Sequence, residues 1–265
     1  MSASPHADPG RGVFETMLVL AGRPVELDAH LQRLGASVAA LYGITLPADA
    51  AAAVIECARG VDEHGKLRLT VVPARGELRL DAVASEVDAR SIFPAADRGA
   101  ALRSTVVAGG LGEHKWADRR LLDRATAAAP GDELPLLLDA EGAVLEASRA
   151  SVFAIRAGRL LTPPDDGRIL PSIARRQAIE VAAAAGIETG EERLTLADLG
   201  AGEVFLTGSV RGVEPVRKLD GAELPPPGEV SERVAGGLRD RWLWAATGEP
   251  AAAAAGVRRA DPPGR

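Results

Sequence analysis

The sequence predicts an α+β protein of two lobes, and three observations carry that expectation. Short β-prone runs with partial alternation stand on both sides of helical spacings of 3 and 4, so neither an all-helical nor an all-strand class fits. The 265 residues are 46% hydrophobic, enough for a substantial core at the upper end of one domain or the lower end of two. Adjacent Gly109 and Gly110, with Gly112 close behind, relax the backbone where the composition also changes, and the lobe boundary is placed there. This divides the chain into a flexible N-terminus (residues 1–11), a small α/β domain (12–108), a linker (109–114), a larger domain (115–247) and a disordered Ala/Pro/Arg-rich tail (248–265).

Taken in order, residues 12–20 (GVFETMLVL) are apolar and β-prone and end at the turn signal Ala21-Gly22-Arg23-Pro24, giving strand, turn and strand. From Asp28 as N-cap to Gly43 as stop, Leu31, Leu34, Val38 and Leu41 recur at spacings of 3, 4 and 3, an amphipathic helix. An alanine-rich helix follows Pro47 and stops near Gly60. Residues 66–72, 77–83 and 102–107 read as strands of the first lobe. Past the glycine pair, a helix over about 117–128 leads into a β-meander of 134–138, 143–147 and 151–155 with a turn at 139–142. Residues 159–162 add a strand, 172–185 a helix, 203–207 a strand and 230–244 the last helix.

Composition removes several function classes. Lys+Arg of 31 against Asp+Glu of 37 gives a net charge of −6, which offers no general attraction to phosphate backbones or anionic lipid, so neither nucleic acid nor membrane is expected as a partner. The lone Cys57 excludes an internal disulfide, and no run approaches the roughly 20 apolar residues that span a bilayer. The opening residues lack the charged and apolar regions of a signal peptide, so the expected location is the cytoplasm. His6, His30, His64 and His114 show no paired spacing, and no metal site is expected. Neither glycine-rich nucleotide fingerprint follows a strand, and the serine-hydrolase elbow is absent.

What remains is a lysine, a glutamate and two small polar loops. Only Lys66, Lys115 and Lys218 are lysines among the 31 basic residues, so a retained lysine points to chemistry that arginine cannot perform. Lys115 follows the glycine linker at the lobe junction, where a desolvated amine can lose its proton and attack a carbonyl; the other reading is a solvated lysine on a first helical turn. Glu146 lies between two strand segments beside small residues, where a carboxylate can hold a proton on a heteroaromatic nitrogen, unless it is an exposed strand-end residue. Residues 171–176 open a helix whose free N–H groups can meet an anion, and residues 207–212 (TGSVRG) follow a strand with hydroxyls and an arginine. Arg33, on the first amphipathic helix, is a third candidate anion contact or a surface arginine.

The order of these pieces resembles the class-IV aminotransferases, the fold-type IV pyridoxal-phosphate enzymes that include branched-chain and D-amino acid aminotransferases and 4-amino-4-deoxychorismate lyase. The matching stretches are residues 12–34 (GVFETMLVLAGRPVELDAHLQRL), 114–120, 146–153 (EASRASVF), 161–188 and 203–221. The resemblance implies a two-lobed D-amino acid aminotransferase-like fold with the cofactor cleft between the lobes, the larger lobe binding pyridoxal 5'-phosphate. It implies that Lys115 carries the cofactor as a Schiff base and then moves protons, and that Glu146 pairs with the pyridine nitrogen. It further implies that Arg33, the backbone of Ile173 and Ala174, and Ser209 grip the phosphate, while Thr207, Gly208 and Arg211 border cofactor and substrate, Arg211 on the substrate side. A homodimer acting on a small amino substrate is expected. The family's cleft tyrosine has no counterpart, since the sole tyrosine is Tyr42, and Arg119 and Arg120 stand near its place; the phosphate loop reads Ser172-Ile173-Ala174 where the family usually has Gly-Ile-Thr. The missing tyrosine, the few aromatics and the short length lean toward the lyase over the aminotransferases, with a catalytically silent relative as a third reading.

Overall fold

The computed structural model describes residues 7–247, so the expected tail over 248–265 lies outside the described residues. The first sheet holds β1 (Val13–Leu20), β2 (Arg23–Pro24), β3 (His64–Ala74) and β4 (Glu77–Glu86) in the order β2-β1-β3-β4, antiparallel throughout. Alternation puts Val13, Met17 and Val19 of β1 and Leu67, Leu69 and Val71 of β3 on one face. There they form a core with Leu34 and Val38 of α1 (Leu27–Tyr42) and Val54 and Ala58 of α2 (Ala50–Ala58). The opposite face, carrying Phe14, Thr16 and Arg68, is left for the second lobe. Helix α1 ends at Gly43 with φ 66°, as its sequence predicts; it starts at Leu27 after a left-handed Glu26, so Asp28 sits in the first turn, where its charge suits the helix dipole.

The second sheet begins with β5 (Ala100–Val106) and continues, after α3 (Arg120–Ala128), with β6 (Leu134–Leu138), β7 (Val144–Ala147), β8 (Ser151–Arg156) and β9 (Arg159–Thr162). Then come α4 (Ile173–Ala184), β10 (Thr189–Glu191), α5 (Leu196–Gly200), β11 (Glu203–Gly208), β12 (Gly212–Leu219), β13 (Ala222–Glu223) and α6 (Glu229–Thr247). The strand order is β10-β9-β8-β11-β12-β5-β6-β7, with β13 paired to β12. Helices α4 and α6 cover one face through Ala174, Ala178, Val234, Leu238 and Trp242, packed on Phe153 and Phe205.

Three expectations need correction. The run 102–107 belongs to the second sheet, where β5 is parallel to both β12 and β6, because Leu102 reaches full burial only among Leu136, Val216 and Leu219. The expected meander is broken: β8 pairs with β11, and β7 meets β8 only at the Ala147–Ala150 bridge, so the sheet curls toward a half-barrel. The helix expected from 117 starts at Arg120 because the preceding residues are bonded to β1. The glycine pair is also more than a relaxed joint: Gly110 has φ 69°, and a Cβ there would lie 2.1 Å from the Arg168 carbonyl oxygen.

Candidate functional site

The segment carrying Lys115 is pinned on both sides. Phe14 N–H donates to the Lys115 carbonyl at 2.9 Å and Ala117 N–H donates to the Gly12 carbonyl at 2.9 Å, so residues 115–117 run as an extra bonded stretch along β1. Gly12 permits this approach: its φ is 88°, and a Cβ would stand 2.1 Å from the Val71 carbonyl oxygen. Trp116 buries its ring in the small-lobe core and donates its indole N–H to the Leu111 carbonyl at 2.9 Å, while His114 contacts Ser37 of α1 at 3.1 Å. With Trp116 turned inward, Lys115 turns the other way, into the cleft, and its amine lies 5.1 Å from the Phe14 ring centroid.

The cleft between the lobes is lined by Lys115, Glu146, Arg33, Thr207, Gly208 and Ser209, with Ser172 at one end. Six predicted residues therefore share one cavity although they come from four parts of the chain. Lys115 is not a solvated helix residue: burial, and then the Arg33 charge, push its amine down to about 8. Glu146, the penultimate residue of β7, is buried; desolvation raises its carboxyl to about 7 against the opposing pull of Lys115 and the Leu170 N–H. Each group's neutral form is thus within reach near neutrality.

Ile173 and Ala174 do not line this cavity with their side chains, which are buried; the prediction concerned only their backbone. Ser172 caps α4 and accepts from the Arg175 N–H, and the first helical bond runs from Arg176 N–H to the Ser172 carbonyl, so the Ile173 and Ala174 N–H groups precede it. Ser209 is fixed by its carbonyl, which accepts from Leu18 N–H of β1 at 3.1 Å. Arg211 lies in an adjoining cavity, where it is ion-paired with buried Glu214 at 2.8 Å.

Sequence reasoning missed Glu15. This β1 carboxylate is 1% exposed and accepts from Arg33 Nε at 2.7 Å and Nη2 at 2.6 Å, and it contacts His30 Nδ1 at 2.7 Å. Burial alone would raise its pKa, but the Arg33 charge and the His30 and Arg33 hydrogen bonds hold it down at about 2. His30 is lowered by burial and stays neutral, so Nδ1 carries the proton that faces the carboxylate. Arg33 also donates from Nη1 to the Pro171 carbonyl at 2.9 Å, linking α1 to the turn before α4. The signal in the sequence was a lone acid inside an apolar strand together with His30 and Arg33 spaced one helical turn apart.

Tyr42 is remote from the cleft, bonding the Pro9 carbonyl at 2.8 Å. Of the two arginines near the expected tyrosine position, Arg119 lines the cleft and donates to the Ser148 carbonyl at 2.7 Å, whereas Arg120 turns back to Asp118 at 2.6 Å. Among the described residues no cluster of His, Cys, Asp and Glu is arranged to hold a metal ion, and no helix is long and apolar enough to cross a membrane.

The family model for amino-transferase class IV matches residues 12–219. A putative branched-chain-amino-acid aminotransferase of Methanocaldococcus jannaschii is 36% identical over 118 residues, 43% of this chain and 41% of the relative. The chain thus matches less than half the length of the curated relatives it resembles. A hypothetical aminotransferase from Mycobacterium tuberculosis is 26% identical with a TM-score of 0.79 over 92% of this chain and 93% of its own. That protein has also been solved in a PLP-bound form and with alpha-ketoglutarate and PMP. A putative 4-amino-4-deoxychorismate lyase from Legionella pneumophila shares the fold, with a TM-score of 0.75 at 22% identity, over 91% of this chain and 96% of its own.

Proposed function

This chain belongs to the amino-transferase class IV family, and on that premise we propose that it is a pyridoxal 5'-phosphate enzyme that converts 4-amino-4-deoxychorismate to 4-aminobenzoate and pyruvate. The observation that carries the cofactor reading is the desolvated Lys115 amine in one cleft with the desolvated Glu146 carboxyl. The lining fits the group on a further count: Thr207 Oγ1 is buried without a hydrogen-bond partner and lines the same cleft.

In this reading Lys115 would hold the cofactor aldehyde until the substrate amine takes its place and frees Nζ, and Glu146 would hold a proton at the pyridine nitrogen. Arg33 keeps unused N–H groups on Nη1 and Nη2 for the phosphate, beside the Ile173 and Ala174 N–H groups and Ser209. When bound, the cofactor supplies an electron sink. The chain's own work is then proton movement. Lys115 Nζ, neutral near its lowered pKa, takes a proton from substrate carbon and gives one back as the bond to the leaving pyruvate oxygen breaks. Trp116, buried in the small-lobe core, and the close-packed Gly110 before it keep the amine's position fixed, and Thr207, Gly208 and Arg211 border the substrate.

What supports the lyase over a branched-chain enzyme is the outer half of the cleft, where Phe14 is the one aromatic ring among mostly charged and small side chains. The second reading is an amino acid aminotransferase, favoured by the printed names of the curated relatives and by the alpha-ketoglutarate complex of the M. tuberculosis protein. The assay supplies 4-amino-4-deoxychorismate in one arm and amino acids with 2-oxoglutarate in the other. Aminobenzoate and pyruvate are the expected products; glutamate without aminobenzoate overturns the lyase reading. If the chain with excess cofactor shows no near-visible band, or if Lys115→Ala keeps it, the cofactor reading fails. As a cytoplasmic homodimer, the enzyme would sediment at twice its chain mass.

A further inference from the structure

A cavity of about 350 Å³ lies between α6, β12 and the chain that crosses from β4 to β5, and it shares no lining residue with either half of the cleft. Phe93, Pro94, Val213, Pro215 and Pro227 give it apolar walls, and exposed Glu232 and Arg239 stand at its rim. Proline has no rotamer freedom to lose and an aromatic ring little, so such walls suit a flat ring. The rim charges are unmet. Along α6, Arg233 pairs with Glu229 at 3.7 Å and Arg241 with Glu180 at 2.6 Å, but among the described residues no carboxylate is within ion-pair distance of Arg239 and no cation is within that distance of Glu232. Arg239 instead rests over the Phe93 ring, 5.0 Å from its centroid. Glu232 and Arg239 sit about two turns apart on the face of α6 that lines the cavity.

Phe93 joins this cavity to Arg211. Its φ of 47° is left-handed, a strained conformation for a bulky side chain that persists only where the surroundings enforce it. Three contacts do so. The Phe93 N–H donates to the Arg211 carbonyl at 2.8 Å, its ring meets Trp242 edge-on at 5.3 Å, and the same ring packs so closely on Gly212 that a Cβ there would lie 2.4 Å from it. The ring that walls the cavity and the backbone that holds the Arg211 turn thus belong to one residue.

We propose that this cavity is a second small-molecule site, which takes an aromatic monocarboxylate bearing a hydrogen-bond donor at its far end, and that Phe93 passes its occupancy to Arg211 at the cleft. The ring lies against Phe93 and the prolines, the acid group meets Arg239, and the donor meets Glu232. A ligand on the Phe93 ring bears on the backbone that holds the Arg211 carbonyl, so the cavity and the cleft are coupled, and the coupling acts equally in both directions. The 4-aminobenzoate of the proposed reaction has this chemistry and would then act on the enzyme that forms it; the site itself stands on the cavity and needs no particular reaction at Lys115.

The test is calorimetric titration of the chain, with cofactor in excess, against benzoate, 4-aminobenzoate and benzamide, which keeps the ring and lacks the charge. Benzoate is expected to bind at least about threefold more tightly than benzamide, as befits a partly exposed ion pair, and Arg239→Gln to abolish that preference. 4-Aminobenzoate should gain about twofold or more over benzoate, a gain that Glu232→Ala removes. Arg239→Met serves should the glutamine variant fail to fold. Equal affinity for benzoate and benzamide, or a preference that survives the loss of Arg239, overturns the site; no gain from the amine overturns the part given to Glu232. Hydrogen exchange read by mass spectrometry locates the ligand. Benzoate should slow exchange over residues 89–99 and 205–214 in wild type and over neither in Arg239→Gln. Slowing over 205–214 that persists in Arg239→Gln puts the ligand in the cleft and overturns the proposal, and slowing confined to 89–99 overturns the link to Arg211. Neither measurement reads turnover and Arg239 lies outside the cleft, so a chain that never gives the near-visible band loses the cofactor reading while this site is still decided.

Discussion

Removal of the Glu15 carboxylate tests whether the small lobe's buried ion cluster organises the cleft. In Glu15→Leu, Arg33 loses two charge-assisted bonds of 2.6 and 2.7 Å and His30 loses its 2.7 Å partner, while the Arg33 side chain stays 11% exposed with Pro171 as its remaining bond. Breaking a buried pair on one side leaves the other charge uncompensated, which destabilises by about 3–5 kcal/mol. The titration leads to a similar figure: a carboxyl held near 2 instead of its ordinary 4.5 contributes roughly 3 kcal/mol at neutral pH. The sign follows from a depressed acid. Its contribution is complete above 4.5 and is lost as pH falls toward 2, so the wild-type advantage over Glu15→Leu should shrink across that interval. Urea melts at pH 7 and at intervals down to the acid limit measure it, and thermal melts at neutral pH should show the midpoint temperature falling by roughly 6–20 °C. Glu15→Leu combined with Arg33→Met should recover part of the loss, because an apolar replacement of both partners removes the stranded charge. A single-variant loss below about 1 kcal/mol at pH 7, or a loss that grows toward acid, refutes the reasoning.

Other outcomes follow from the same geometry. Gly12→Ala forces a Cβ to 2.1 Å from the Val71 oxygen at φ 88°, whereas Gly76→Ala meets nothing within 4 Å at φ 87°. Urea melts should therefore show the Gly12 variant losing at least about 1 kcal/mol more than the Gly76 variant, which reports left-handed strain alone. The rate at which the chain captures pyridoxal, the aldehyde without the phosphate, should rise with pH through a midpoint near 8, and Arg33→Met should move the midpoint upward because one of the charges lowering the Lys115 amine is gone. Stopped-flow absorbance across pH 6–10 or so measures both.

The parts of the fold that were legible in the sequence are those whose local pattern and tertiary role coincide. Helix α1 carries its period in Leu34 and Val38, its stop in Gly43, and its core face in the same residues. Strands β3 and β4 alternate because one face packs and the other does not, whereas β1 is packed on both faces and reads as a nearly continuous apolar run. Strand β5 was legible as a strand but not as a member of the second sheet, since its parallel neighbours β6 and β12 both lie further along the chain, beginning at Leu134 and Gly212. Strands β10 and β13 and helix α5 span at most 5 residues each, too short to show a period, and β12 interrupts its apolar positions with Glu214, Pro215, Arg217 and Lys218.

The candidate site divides along the same line. Lys115 stood out because the chain otherwise uses arginine, and Glu146 because of the small residues after it; neither inference required knowing what packs where. Glu15 could not be found that way. In GVFETMLVL a single acid reads as the solvent side of an alternating strand, and its actual place, 1% exposed, is decided by α1 laying His30 and Arg33 over it. Arg119 and Arg120 are neighbours of one type, and composition cannot rank them. The ranking comes from residues 115–117 being bonded along β1, which places Asp118 to take Arg120 and leaves Arg119 to face the cleft. A residue's charge is local, but whether that charge is met is a property of the register between distant elements, which is why the sequence named the amine and left its electrostatic surroundings to the structure.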